Sequence, residues 1–300
     1  MRKLLFALGL GLMLLQTALA QPMRFVYPPP ETANDERHLY YWHLLKAALE
    51  ATRDKYGDYI LQSHTTPMTF QRAVADVETG GERVNIVARG TNLDLEARLR
   101  LIRLPLDKGL LGYRLFLIMP QTQPQLDQVR TLEDLKRFSI GQSTPWTDVK
   151  ILQAAGFRLA LTANYEGLFG MLAAGRFDLF SRGVIEIDAE WRTYSAKYPG
   201  MQIEKNLILA YPLPRYFFVP RTAEGERMAA RISEGLQRMV KSGEFERRYQ
   251  TYKKLVLDGL PLAGRRVFRL PNTELGAGAP PLNDPVWWDD LAAELTPKKL

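Results

Sequence analysis

The chain has 300 residues, 46% of them hydrophobic and 24% charged, which is apolar material for one large domain or two of ordinary size. It contains no cysteine, so disulfides, thiolate nucleophiles and cysteine metal ligands are excluded. A net charge of +7 favours acidic partners only weakly, and the 40 Lys and Arg residues are scattered rather than gathered in one stripe, which argues against nucleic acid.

The N-terminal segment sets the expected compartment. Arg2 and Lys3 precede an apolar run at residues 4–15, and Ala18-Leu19-Ala20 is an A-x-A cleavage site before Gln21. That run is about 12 residues long and a bilayer core needs about 20, so residues 1–20 are expected to be a cleaved signal peptide rather than an anchor. With no cysteine after the site, no lipid anchor is expected, and the mature protein is expected in the periplasm.

Residues 24–27 form a short β-prone run stopped by Pro28, Pro29 and Pro30. Residues 35–52 read as a helix: Leu39, Trp42, Leu45, Ala48 and Leu49 recur at three- and four-residue spacing, Asn34 or Asp35 can cap the start, and Gly57 follows the end. A strand at 59–62, a helix at 70–77 ended by Gly80-Gly81, and an apolar strand at 84–88 complete a strand–helix alternation. That alternation predicts a parallel sheet with helices on its faces. A second α/β set follows a strong strand at 115–119: a helix at 132–136, a strand at 138–141, helices at 147–155 and 165–174, and a strand at 177–180. Runs at 207–211 and 216–219 lead back through Pro212 and Pro214 to long helices at 224–241 and 244–255. Gly and Pro cluster at 270–285, which rarely forms regular structure, yet Trp287 and Trp288 would each leave a large apolar area in water. Residues 258–300 are therefore expected to pack on the body as a tail.

Four dispersed segments carry a resemblance. They are Arg24 to Tyr27 with Pro28-Pro29; Thr131-Leu132-Glu133-Asp134-Leu135-Lys136 followed by Phe138-Ser139-Ile140-Gly141; Leu172-Ala173-Ala174-Gly175-Arg176-Phe177-Asp178; and Met239 to Phe245 with Tyr249. In this order, over residues 23–255, they resemble segments of the family-3 extracellular solute-binding proteins. The resemblance implies an α/β class, two-lobed type II periplasmic-binding fold with a double crossover hinge. It places residues 21–113 and 212–257 in the first lobe and 114–211 in the second. It also implies a monomeric receptor that traps a small molecule between the lobes, not an enzyme, working with an inner-membrane permease of ABC type or with a sensor. A sensing subunit and a dehydratase-like periplasmic enzyme are the alternatives on the same fold.

Candidate ligand residues follow from the same comparison. Arg98 resembles the arginine that grips a ligand carboxylate in the family's "T-P-E-R" motif, displaced by one residue and without the usual Thr at position 95; a guanidinium suits that task because its planar donors match two oxygens. Arg89 and Thr91 follow the third strand, and Tyr27 edges the cleft. Gly141 to Asp148 joins a strand to a helix, where free N–H groups and the Ser143, Thr144 and Thr147 hydroxyls suit an anion, with Trp146 as a stacking surface. Amino acid receptors carry an acid where this chain has Arg182 and Gly183. An arginine there repels an ammonium, so the expected ligand bears a carboxylate or phosphate, held by Arg98 and Arg182 from opposite lobes. No cofactor motif is present. Of the three histidines, His38 and His43 are five apart and share no helix face, so no metal site is expected.

Overall fold

The computed structural model describes residues 21–30 and 38–295. The expected signal peptide and the expected cap at Asn34 or Asp35 lie outside these residues. The strands are β1 (Met23–Tyr27), β2 (Tyr59–Ser63), β3 (Val87–Gly90), β4 (Arg100–Ile102), β5 (Tyr113–Ile118), β6 (Ser139–Ser143), β7 (Arg158–Thr162), β8 (Leu179–Gly183), β9 (Gln202–Ile203), β10 (Leu207–Ala210), β11 (Arg215–Val219) and β12 (Arg266–Arg269).

The first lobe holds a parallel β1–β2 pair and a three-stranded sheet in the order β3-β11-β4. The expectation of a purely parallel sheet is corrected here. β11 returns directly from the second lobe and runs antiparallel to both β3 and β4. The third strand also starts later than its apolar run. The Asn85 side chain leaves the ladder to accept from Val26 N–H at 2.7 Å and to donate to the Arg24 carbonyl at 2.9 Å. Regular pairing resumes only at Val87, which divides the lobe's strands into two sheets.

The second lobe is one seven-stranded sheet ordered β12-β10-β5-β8-β6-β7, with β9 beside β5. It is mixed: β7 and β8 run parallel to β6, whereas β5 runs antiparallel to β8 and β10. The helix Leu132–Leu135 is set by a full capping box, in which Thr131 and Asp134 each bond the other's backbone.

Each lobe has its own core. In the first, helix Leu39–Glu50 turns Tyr41, Trp42, Leu45, Ala48 and Leu49 onto Phe25, Ile86 and Phe217 and onto Ile232 and Leu236 of helix Ala223–Lys241. Each such side chain stabilises the fold by about 1.5–3 kcal/mol relative to exposure. In the second, Phe116, Ile140, Leu152, Phe169, Phe180 and Leu209 close around the sheet.

The chain crosses between sheets from β4 to β5 and from β10 to β11. The two crossings run side by side: Tyr211 N–H donates to the Gly112 carbonyl at 3.1 Å, and Leu106 N–H to the Arg215 carbonyl at 2.9 Å. A side chain at position 112 has no room against the Tyr211 carbonyl, so only glycine permits this spacing.

Beyond helix Glu244–Leu257 the chain does not trail away. β12 pairs in parallel with β10, and Leu262, Phe268, Leu270, Leu291 and Ala292 are buried in the second lobe's core. Trp287 instead packs edge-on against Phe245 of the first lobe's core, at 5.8 Å between ring centres. Lys253, 7% exposed, donates to Asp289 at 2.8 Å and to Glu294 at 2.7 Å.

Removing one partner of a buried ion pair strands the other charge. Lys253→Met should therefore lower unfolding stability by about 3–5 kcal/mol in denaturant titrations by stranding the Asp289 carboxylate, whereas a Lys253→Met/Asp289→Leu double variant should recover most of that loss. Equal losses in the single and double variants would show that packing, not charge, holds this junction.

Candidate ligand-binding site

The two lobes face each other across a cleft holding a cavity of about 460 Å³. The first lobe and the crossings supply His38, Phe70, Arg89, Gly90, Leu213 and Arg215. The second supplies Arg114, Ser143, Trp146, Thr147, Asp148 and Arg182, with Tyr165 and Glu186. The lobes touch at one rim, where Thr147 Oγ1 donates to the Gly90 carbonyl and accepts from Asn92 Nδ2, each at 3.3 Å.

The candidate residues of the sequence are divided by the fold. Arg89, Ser143, Trp146, Thr147 and Arg182 line the cleft. Tyr27 does not; it stacks on Trp42 at 4.4 Å and lines an adjoining annex of about 120 Å³ beside His38 and Phe70. Thr91 is fully buried below the surface and donates to Glu96 at 2.7 Å. Thr144 is exposed at the turn and lies outside the cleft lining.

Arg98 requires the largest correction. It sits on the short helix Leu93–Arg98, away from the cleft lining, where Nη2 and Nε grip Glu78 at 2.5 and 3.0 Å and Nη1 reaches Asp94 at 3.0 Å. Those two carboxylates raise its pKa against a small effect of burial. The pairing of Arg98 with Arg182 across the gap is thus not what the structure brings together.

Arg182 is in the cleft but already engaged. Its Nε and Nη2 each meet Glu190 at 2.6 Å, and Nη2 lies 3.1 Å from Glu186. Burial alone would lower its pKa, yet the two carboxylates outweigh it and raise the value. The guanidinium also lies 4.4 Å from the Trp146 ring and 5.7 Å from Tyr165, so its charge backs an aromatic wall. Arg89 does the same on the facing lobe, 3.9 Å from the Phe70 ring.

The strand-to-helix junction carries its own anion. Asp148 opens the seven-residue helix Asp148–Ala154. It accepts from Tyr211 at 2.5 Å and pairs with Arg114 at 3.1 Å.

Two arginines stand out that the sequence analysis passed over. Arg114 on β5 and Arg215 on β11 come from different lobes, both line the cleft, and they are 1% and 5% exposed. Both leave a buried Nε without a hydrogen-bond partner. Arg114 donates to the carbonyls of Leu111 and Ser181; Arg215 meets His38 Nδ1 at 3.0 Å, with Glu186 and Asp107 only at 3.8 and 3.9 Å. Their signal was available: a charged residue inside otherwise apolar strands, Tyr113–Ile118 and Arg215–Val219, is seldom buried without a task.

No family model matches the chain, and no curated protein does. Solved structures do match. A Salmonella typhimurium periplasmic binding protein of high arginine specificity aligns at a TM-score of 0.53 and 13% identity, over 76% of this chain and 98% of that one. A histidine kinase sensor domain similar to periplasmic binding proteins aligns at 0.53 and 16%, over 77% and 96%. An ancestral amino acid-binding protein, a precursor of cyclohexadienyl dehydratase, aligns at 0.52 and 11%, over 77% and 95%. The chain has the two-lobed periplasmic-binding fold. Those structures are covered almost end to end by about three quarters of this chain, which therefore carries residues beyond the shared architecture. Among the described residues no helix is long and apolar enough to cross a membrane.

Behind Arg215 lies Asp107, fully buried, which accepts from Tyr41 at 3.1 Å and from Gly109 N–H at 3.2 Å. Burial raises its pKa from 3.8 to about 6, against the opposing pull of Arg215. A carboxyl held protonated longer in the fold than in the unfolded chain loses stability as it ionises. The cost is absent below about pH 4 and complete above about pH 7. The stability of Asp107→Asn relative to the parent should therefore improve by up to about 3 kcal/mol between pH 4 and pH 8 in denaturant titrations. A difference that stays flat with pH would mean that Asp107 keeps an ordinary carboxylate pKa.

Proposed function

We propose that this protein is a receptor that captures a small carboxylate- or phosphate-bearing solute in the interlobe cleft. The observation that carries the reading is the pair Arg114 and Arg215, which line the cavity from different lobes and whose Nε atoms make no hydrogen bond. An anion held between the two guanidinium groups gains contacts from both lobes only while the lobes stay close. Arg89 and Arg182, each laid on an aromatic ring, supply two flat walls at Phe70 and Trp146 for the ligand's planar or apolar part. Ser143 and Thr147 are the hydroxyls at the same wall.

The role is uptake or sensing. Export to the periplasm by residues 1–20, and a membrane partner of permease or sensor type acting on a monomeric receptor, follow from that reading. An arginine-specific periplasmic binding protein and a kinase sensor domain among the similar structures support both roles equally. Catalysis is the less supported alternative, although a dehydratase precursor shares the fold. The carboxylates lining the cleft, Asp148 and Glu186, already face arginines at 3.1 Å and so lack the setting of a proton-transfer base.

Calorimetry with a panel of amino acids, organic acids and sugar phosphates tests the assignment. Arg215→Ala should weaken the best ligand by at least about 30-fold, the loss expected when a buried charged contact is truncated. Arg98→Ala should leave the affinity unchanged. Unaltered binding by Arg215→Ala would remove the anion site from this position.

A further inference from the structure

In a hinge of two crossings, a few backbone dihedrals at the crossing absorb the rotation that opens the cleft. The first crossing has the expected corner. Lys108 and Gly109 are both left-handed, with φ of +48° and +76°, and Lys108 is the one non-glycine residue with positive φ among the described residues. That corner is not free to move. Asp289 N–H donates to the Lys108 carbonyl at 2.8 Å, and the Trp288 ring covers Gly109 so closely that an added Cβ would stand 2.7 Å from it. Tyr113, where the crossing enters β5, donates its hydroxyl to the Asp289 carbonyl at 3.1 Å. The Lys108 ammonium is held by Glu246 at 2.9 Å.

The segment that supplies Trp288 and Asp289 is fastened to both lobes. On the second lobe, β12 is paired to β10, Glu274 binds Lys150 at 3.2 Å, and Leu291 and Ala292 are buried. Against the first lobe, Gly276 packs on the Glu96 carboxylate and Gly278 on the Arg103 guanidinium, and Trp287 joins the core at Phe245. Tyr249 and Lys253 of the intervening helix bind Asp289 at 2.5 and 2.8 Å. Separating the lobes by rotation at Lys108-Gly109 would therefore break contacts on both sides of the strap at once.

We propose that residues 266–292 form a strap that locks the first crossing and holds the two lobes at their present separation, so that the cleft admits its ligand without wide opening. The inference does not depend on which solute is bound, and it can fail while the cleft assignment stands.

Distance measurement between spin labels tests it in the ligand-free full chain. With no native cysteine, Gln71→Cys and Ala163→Cys label the cleft from opposite lobes. The labelled parent should give one narrow distance distribution. Adding Trp288→Ala and Asp289→Ala should produce a second, longer population, with circular dichroism showing that the variant is folded. If that variant does not fold, Trp288→Phe with Asp289→Asn is read instead, and the same lengthening is expected in weaker form. Two results would overturn the proposal: a broad or bimodal distribution in the parent, or a folded strap variant whose distribution matches the parent's.

Discussion

Everything in this molecule that bears on function depends on two peptide segments passing each other within backbone hydrogen-bond distance. The segment entering β5 and the segment leaving β10 lie together because Gly112 has no side chain to hold off the Tyr211 carbonyl. Their closeness sets the register of β5 against β10, which pairs Leu209 with Arg114. It also sets the position of β11, whose first residue is Arg215. A bulkier residue at the crossing would move both arginines relative to each other. The cleft is thus built at the joint, and its geometry is inherited from the backbone rather than from flexible loops.

The cleft solves a charge problem as well as a shape problem. Four arginines line it, and Arg114, Arg182 and Arg215 are buried, which without partners would be prohibitive. Glu190 and Glu186 neutralise Arg182, Asp148 neutralises Arg114, and Glu186 and Asp107 stand at a longer distance from Arg215. Net positive charge alone therefore does not define the ligand. Arg182 is held bidentately by Glu190, while the Nε atoms of Arg114 and Arg215 make no hydrogen bond. Arg182, which the sequence singled out as the reason for an anionic ligand, instead stiffens the aromatic wall at Trp146.

Much of the architecture was legible in the chain because local rules and tertiary demands agreed. The helix begun by Thr131 needed only its capping box, and the helices Tyr165–Ala173 and Ala223–Lys241 needed only their amphipathic spacing and end residues. Strands whose identity depends on neighbours were not legible. β4 and β9 are short, β7 is an edge strand, and β12 follows a stretch rich in turn residues; each exists because an adjacent strand offers a free edge. The parallel expectation for the first sheet failed for the same reason, since strand direction there is decided by β11, more than a hundred residues away.

The sequence by itself determined the α/β class, the division into two sets of strands and helices, and several residues on the cleft face, because hydrophobic period, caps and turn residues act over a few positions. It also placed an arginine at 182 and an aromatic at 146. Only the tertiary structure decided which charges meet. Arg98 is drawn outward by Glu78, twenty residues earlier, while Arg114 and Arg215 are brought together from strands a hundred residues apart. Charges far apart in the chain pair through space over a few ångströms, and a local pattern reports only pairs one helical turn apart, such as Arg98 with Asp94.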